Sequence, residues 1–337
     1  MAGNNKFLTQ LPINIYNLGS KAGSMLNFFR KELWERMNAP MGAKAVSIPV
    51  FLVNEAQMDT IYPPERRRAL DPKKVRARLN EWREDERIKD EEKDKDLFKE
   101  LEKTEEETWQ HYKEVVAVGV YIKNFSHTYD VTNIIGLGKT EYRSDDAKSA
   151  LQNLESPAIF LCPERIINWA WKENIPVELV LDKVYYHELG HAIMDSGITP
   201  YDKIWGRIIE ESLANSIAYD RFESYEARLI QRLIKSQPAE YQGYAWLSEA
   251  FDRFPFPLHR FFFYVYLEEL FYDDLKEFIY TLKKYIKLGL PFPLVSFLLE
   301  KSIVEFWVEC KSLQVYQDKK MERMLKKFAL NLLKRSL

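Results

Sequence analysis

Cysteine is scarce in this chain: Cys162 and Cys310 are the only two among 337 residues, they lie far apart, and no C-x-x-C spacing occurs. That argues against a disulfide framework and a thiolate metal site, leaving two reduced, packed thiols as the expectation. Net charge is scarce as well. The 49 lysines and arginines nearly cancel 51 acidic residues, so no overall field draws the chain to nucleic acid or an anionic membrane, and neither is expected as a partner. Long apolar runs are missing: the most apolar later stretch, Leu288 to Leu299, contains Pro291 and Pro293 and falls short of the roughly 20 residues of a bilayer span. It reads as core or interface. Met1 to Phe7 lacks a basic start followed by an apolar run, so a cytoplasmic location is expected. Glycine-rich phosphate loops are absent too, since Gly136-Leu-Gly138 is a lone G-x-G without a helix signature behind it and reads as turn or bulge glycines.

What is present is a globular composition, 46% hydrophobic, long enough to bury a large core in two subdomains. Ile13 to Met37 reads as a loop and an amphipathic helix that packs as a lid on a sheet. Lys44 to Val53 is dense in β-branched residues, and its internal Pro49 predicts an edge strand, a bulge or two short strands. Val115 to Ile122 reads as a buried central strand, Asn133 to Tyr142 as a strand or hairpin, and Ala158 to Cys162 as a further strand, ended by Pro163 with Glu164 opening a helix. Between about 63 and 113 charges of both signs recur at helical spacing, which predicts a solvated helical insertion whose basic part, Arg66 to Arg78, offers a surface to an acidic protein partner. After Gly197 only helical patterns follow, over about 202–222, 224–236, 240–252, 258–288 and 294–334. The aromatic run Phe261 to Tyr266 reads as core. The fold class is therefore α+β: an N-terminal subdomain over 1–195 with a small mixed sheet and one long helix, then a mainly helical subdomain over 196–337.

Histidine is rare, which sharpens the meaning of one stretch. Two of only five histidines fall in Val184-Tyr-Tyr-His-Glu-Leu-Gly-His191, in the order H-E-x-x-H. Residues four apart stand one turn above each other on a helix, so His187 and His191 aim two imidazoles at one point. Glu188 lies about 100° round from His187, near that point but outside the clamp. Imidazole nitrogens suit zinc, and a catalytic zinc takes three protein ligands with the fourth position left to water. Downstream, Ile204, Ile208, Leu213 and Ile217 keep helical spacing around the pair Glu210-Glu211. Glu211 is the expected third ligand. It shares a face with Asn215, whose amide is placed to bond the free nitrogen of a ligating histidine.

These residues resemble the zincin metallopeptidases, and within them the gluzincins, whose third ligand is a glutamate on a later helix. The likeness spans about 175–222, and Glu211-x-x-x-Asn215 looks like the thermolysin-type arrangement, with an amide where that group often has an acid. Glu211 to Ala218 is also similar to the glutamate helix of the repressor-cleaving metallopeptidases of mobile elements. The resemblance implies a Zn²⁺ held by His187, His191 and Glu211 and a water-activating base, Glu188, acting on a protein or peptide substrate. It further implies an oxyanion donor from the later half, for which His259, Tyr241 and Tyr244 stand as candidates, and a sheet strand that pairs with extended substrate, for which Ala158 to Cys162 lies nearest in sequence. Two other functions fit the same residues: a regulatory or scaffold protein that keeps the metal fold with little turnover, and a regulator that cleaves one repressor.

Overall fold

Three of the short β-rich runs do assemble, together with one that the sequence hides. A computed structural model of the chain describes residues 13–26, 30–37, 39–64, 69–84, 97–104, 116–125, 129–244 and 303–337. Strands β1 (Ile15–Asn17), β2 (Val50–Leu52), β3 (Gly119–Ile122) and β4 (Ala158–Leu161) form one mixed sheet in the order β1-β2-β4-β3. The pairs β1–β2 and β2–β4 are parallel, while β3 runs antiparallel to β4 in unbroken register, Gly119 opposite Leu161 through Ile122 opposite Ala158. Around the sheet and beyond it lie α1 (Lys31–Trp34), α2 (Ala39–Ser47), α3 (Glu55–Ile61), α4 (Pro72–Glu84), α5 (Val131–Leu137), α6 (Ala147–Gln152), α7 (Pro163–Glu173), α8 (Val177–Ile193), α9 (Ile204–Tyr219), α10 (Ser224–Lys235), α11 (Ile303–Ser312) and α12 (Lys319–Ser336). The α+β class expected from sequence is what the chain adopts.

Several local readings are corrected. β4 is the central strand and is buried along its length, whereas β3 is an edge strand of intermediate burial. Val115 to Ile122 is a continuous apolar run, the pattern of a strand buried on both faces, yet the central place goes to Ala158–Leu161, the strand expected to pair with substrate. Residues 44–47, expected to be extended, instead close the helix α2: its Ala-rich start favours helix, and Ile48-Pro49 ends it, since the residue before proline is steered out of the helical region. Pro49 then sits just ahead of β2, where its carbonyl accepts from Ile159 N at 3.0 Å, and β2 is interior rather than an edge. The expected hairpin at 133–142 is α5 and a turn of 3₁₀ helix, started by Asp130, whose side chain accepts from Asn133 N at 3.0 Å. In the 13–37 segment β1 replaces part of the loop, Gly23–Met25 forms a turn of 3₁₀ helix, and among the described residues the α-helix covers Lys31–Trp34. The helical stretch predicted at 258–288 and the aromatic run Phe261 to Tyr266 lie outside the described residues.

The chain divides into two compact units, one of residues 1–68, 112–193 and 217–233 and one of 69–111, 194–216 and 234–337. In the first, an aromatic row crosses one face of the sheet: Tyr16, Phe51 and Phe160 stack at 5.3 Å centroid spacings, and Phe125 follows Phe160 at 5.1 Å. Val120 and Ile122 pack on this same cluster. By strand alternation Gly119 and Tyr121 therefore face the other way, towards α8. Cys162 is a buried free thiol whose pKa burial pushes up to about 12, the inert, packed cysteine that was expected. In this unit Arg30 Nε meets Asp182 Oδ2 at 3.1 Å, and the same guanidinium meets Glu226. Burial pushes the Asp182 carboxyl up to about 7, and the pull of Arg30 in the other direction only partly offsets it. The folded state therefore binds a proton that the unfolded chain has already released, so this group's contribution to stability falls as pH rises from the ordinary carboxylate range through about 7. Asp182→Asn is expected to flatten that slope, measured as urea midpoints at about pH 5 and about pH 7.

In the second unit, the segment read as a solvated insertion buries Leu70, Val75, Leu79, Leu97 and Leu101. Val75 and Leu79, and again Leu97 and Leu101, stand four residues apart within the charged background, so the segment contributes core as well as surface. The unit's polar centre is Glu210 with Lys311. Lys311 Nζ lies 3.1 Å from Glu210 Oε2 and 3.1 Å from Thr199 Oγ1 and also donates to the Met194 carbonyl, while Trp307 Nε1 donates to Glu210. Both charges are almost completely buried. Removing one partner strands the other, so Lys311→Met is expected to cost about 3–5 kcal/mol in chemical unfolding.

Candidate metal centre

α8 is apolar almost all round, and every residue from Leu179 to Ala192 is buried. A helix of that kind belongs inside a protein, and each polar group on it requires a reason. Its start follows Asn174, which adopts the left-handed conformation that closes α7, and Glu178 occupies the first turn. Asp182 is answered by Arg30. The Lys183 ammonium stands 5.7 Å from the centre of the Trp169 ring. The remaining polar residues are His187, Glu188 and His191, with 5%, 6% and 9% of their surface exposed.

The two imidazoles converge. His187 Nε2 and His191 Nε2 are 3.2 Å apart, with ring planes at 89° and centroids 4.7 Å apart. Two nitrogens held by one tetrahedral cation at about 2.0–2.1 Å stand about 3.3 Å from each other, so the observed separation is compatible with a shared ion as well as with a hydrogen bond between the rings. The third donor comes from α9. Ligand atoms of His187, His191 and Glu211 all lie within 4.8 Å of one another, and this is the one such group found among the described residues. The adjacent carboxylates on α9 thus part company, Glu210 to Lys311 and Trp307 and Glu211 to the histidines. Two imidazoles and a carboxylate form a donor set that fits zinc, and the cluster can hold a metal ion.

The other candidates are placed as follows. Asn215, one turn beyond Glu211, donates through Nδ2 to Gln237 Oε1 at 3.2 Å and to the Tyr241 carbonyl at 3.1 Å. Its bonds among the described residues run to the segment after α10 rather than to a histidine. That segment is further pinned to α9 by Ser212 Oγ, which donates to the Glu240 carbonyl at 2.9 Å. Tyr241 is partly buried and Tyr244 fully so. His259 lies outside the described residues, as does His127. Of the basic stretch Arg66 to Arg78, expected to offer a surface to a partner, residues 69–78 are described and 66–68 lie outside the described residues.

Two residues escaped the sequence reading. Glu240 is buried, accepts from Leu70 N at 3.0 Å, and has a pKa pushed up to about 8, chiefly by burial, with the Glu211 charge adding to the push. Nothing local in the sequence announces it. Gly119 had a signal, a glycine inside a β-branched run, which marks a bulge or a close backbone approach. A Cβ built at Gly119 would fall 2.9 Å from Glu188 Oε1 and 2.7 Å from Val184 Cγ1, so β3 lies directly on the turn of α8 that carries Glu188.

No family profile, curated protein or solved structure matches the chain. Among the described residues no helix is long and apolar enough to cross a membrane.

Proposed function

We propose that the chain is a zinc-dependent metallopeptidase of the gluzincin kind, hydrolysing peptide bonds of a protein or peptide substrate. The observation that carries the reading is the 3.2 Å approach of two buried imidazole nitrogens with the Glu211 carboxylate beside them. His187 and His191 would hold the ion through Nε2 and Glu211 through a carboxylate oxygen, with the fourth position left open. When bound, zinc supplies a Lewis acid that polarises a carbonyl and makes a water a nucleophile near neutral pH.

The chain's own groups do the rest. Glu188 takes the proton from the attacking water and returns it to the departing amine, and its burial keeps bulk water from competing for that proton. Peptide binding falls to β3 in place of β4, because both sides of β4 are occupied by strands while β3 stands at the sheet's edge among the described residues. Cys162 N donates to Val118 O at 2.9 Å, which makes that pair, and Val120–Phe160 after it, the hydrogen-bonded pairs of the antiparallel ladder. The backbone groups of Gly119, which lies between these pairs, then point outward, in position to pair with an extended peptide. Such pairing favours extended conformation over particular side chains. Hydrolysis of a peptide library or a denatured protein by the purified full chain carrying one zinc, lost in the Glu188→Gln variant, tests the reading. A zinc-loaded protein that cleaves nothing is a scaffold, and one that cleaves a single partner is a regulator.

A further inference from the structure

Glycine inside a strand weakens it, and at position 119 none of the usual compensations applies. β3 pairs with β4 in continuous register, so there is no bulge, and Gly119 is not among the glycines with positive φ, which are Gly19 and Gly197. The remaining reason is space. A methyl at 119 would sit 2.7 Å from Val184 Cγ1, 2.9 Å from Glu188 Oε1 and 3.1 Å from Glu188 Cγ, and carbon contacts of that length do not persist in packed interiors. The Val184 methyl, the tightest of these contacts, and Glu188 both have to give way, and the Glu188 carboxylate, as the far end of a flexible side chain, moves the more readily of the two.

We propose that Gly119 is a positioning residue: its missing side chain lets the edge-strand backbone close on α8, so that Glu188 is held beside the very residue whose outward backbone groups receive the peptide. This rests on the peptidase reading above. One residue thereby couples recognition to proton transfer, because the peptide that pairs at Gly119 is delivered next to Glu188. Larger residues at 119 separate the two functions without touching a metal ligand.

The test uses the zinc-loaded full chain and a cleaved peptide as probe. Gly119→Ala is expected to lower kcat about 100-fold, the penalty of displacing a reacting group by about 1 Å, with KM within about threefold and one zinc still bound per chain. Should Gly119→Ala fail to fold, Gly119→Ala with Val184→Ala removes the tightest contact, keeps the one with Glu188, and is compared with Val184→Ala alone. A kcat within about threefold of the parent protein overturns the proposal. Urea unfolding supplies a readout apart from turnover: the methyl at 119 is expected to lower the midpoint when Glu188 is present and to lower it less in a Glu188→Ala background. Additive effects show that the methyl does not act on Glu188 and overturn the proposal whatever the activity. If the two sites couple but the parent protein cleaves no peptide, the peptidase reading falls and the positioning role with it, while the contact stands.

Discussion

Glu188→Gln is expected to lower kcat by about 10²–10⁴-fold, the range for losing a general base, while the bound metal stays at one ion per chain. Glutamine keeps the volume of the side chain, so the packing beside the β3 backbone at Gly119 survives. What disappears is a carboxylate able to take a proton. The metal remains because Glu188 is not in the converging set: the atoms gathered within 4.8 Å belong to His187, His191 and Glu211. A helix separates those roles by rotation, since His187 and His191 share a face and Glu188, one residue on, does not. Comparing kcat with metal content in the same preparation distinguishes loss of a base from loss of the site. Undiminished turnover in a zinc-replete Gln variant would remove Glu188 from the chemistry.

The second large effect is on the ion itself. His187→Ala, His191→Ala and Glu211→Ala are each expected to weaken zinc by more than the 10–100-fold typical of losing a supporting group behind a ligand. Each takes one of three protein bonds from the cation. Both histidines are buried, and an ion held between them ties stability to occupancy, since a ligand bound only by the folded state raises the unfolding midpoint by mass action. A chelator should therefore lower the thermal midpoint of the parent protein and leave that of the His191→Ala variant unmoved. Glu210→Ala provides the contrast. It breaks the buried pair with Lys311 and should destabilise the chain without abolishing zinc binding, because its carboxylate is held by Lys311 and Trp307 and is not in the converging group.

The part of the site legible in sequence was the part written in helical period. Four-residue spacing placed His187 and His191 on one face, and the same spacing between Glu211 and Asn215 picked out Glu211, the one of the two adjacent carboxylates that gathers with the histidines. Residues placed by long-range packing were not legible in the same way. Which strand lies at an edge depends on what lies beside it, and neither Val115 to Ile122 nor Ala158 to Cys162 carries that information in its own composition. The Ala-rich start of 39–47 and the Asp130 cap before α5 were local signals outweighed by β-branched residues nearby. Leucines spaced for packing within 69–104 were masked by the charges around them. Glu240, buried against the backbone of Leu70 from far away in the chain, had no sequence signature at all.

X-ray absorption at the zinc edge on the full-length protein tests the central claim most directly. The expected spectrum shows one zinc per chain with two imidazole nitrogens at about 2.0–2.1 Å and a carboxylate oxygen at about 2.0–2.2 Å, and the imidazole scattering halves in His191→Ala if any metal is retained. A parent protein that holds no stoichiometric metal after reconstitution, or one whose zinc environment is unchanged in the His187→Ala, His191→Ala and Glu211→Ala variants, would contradict it.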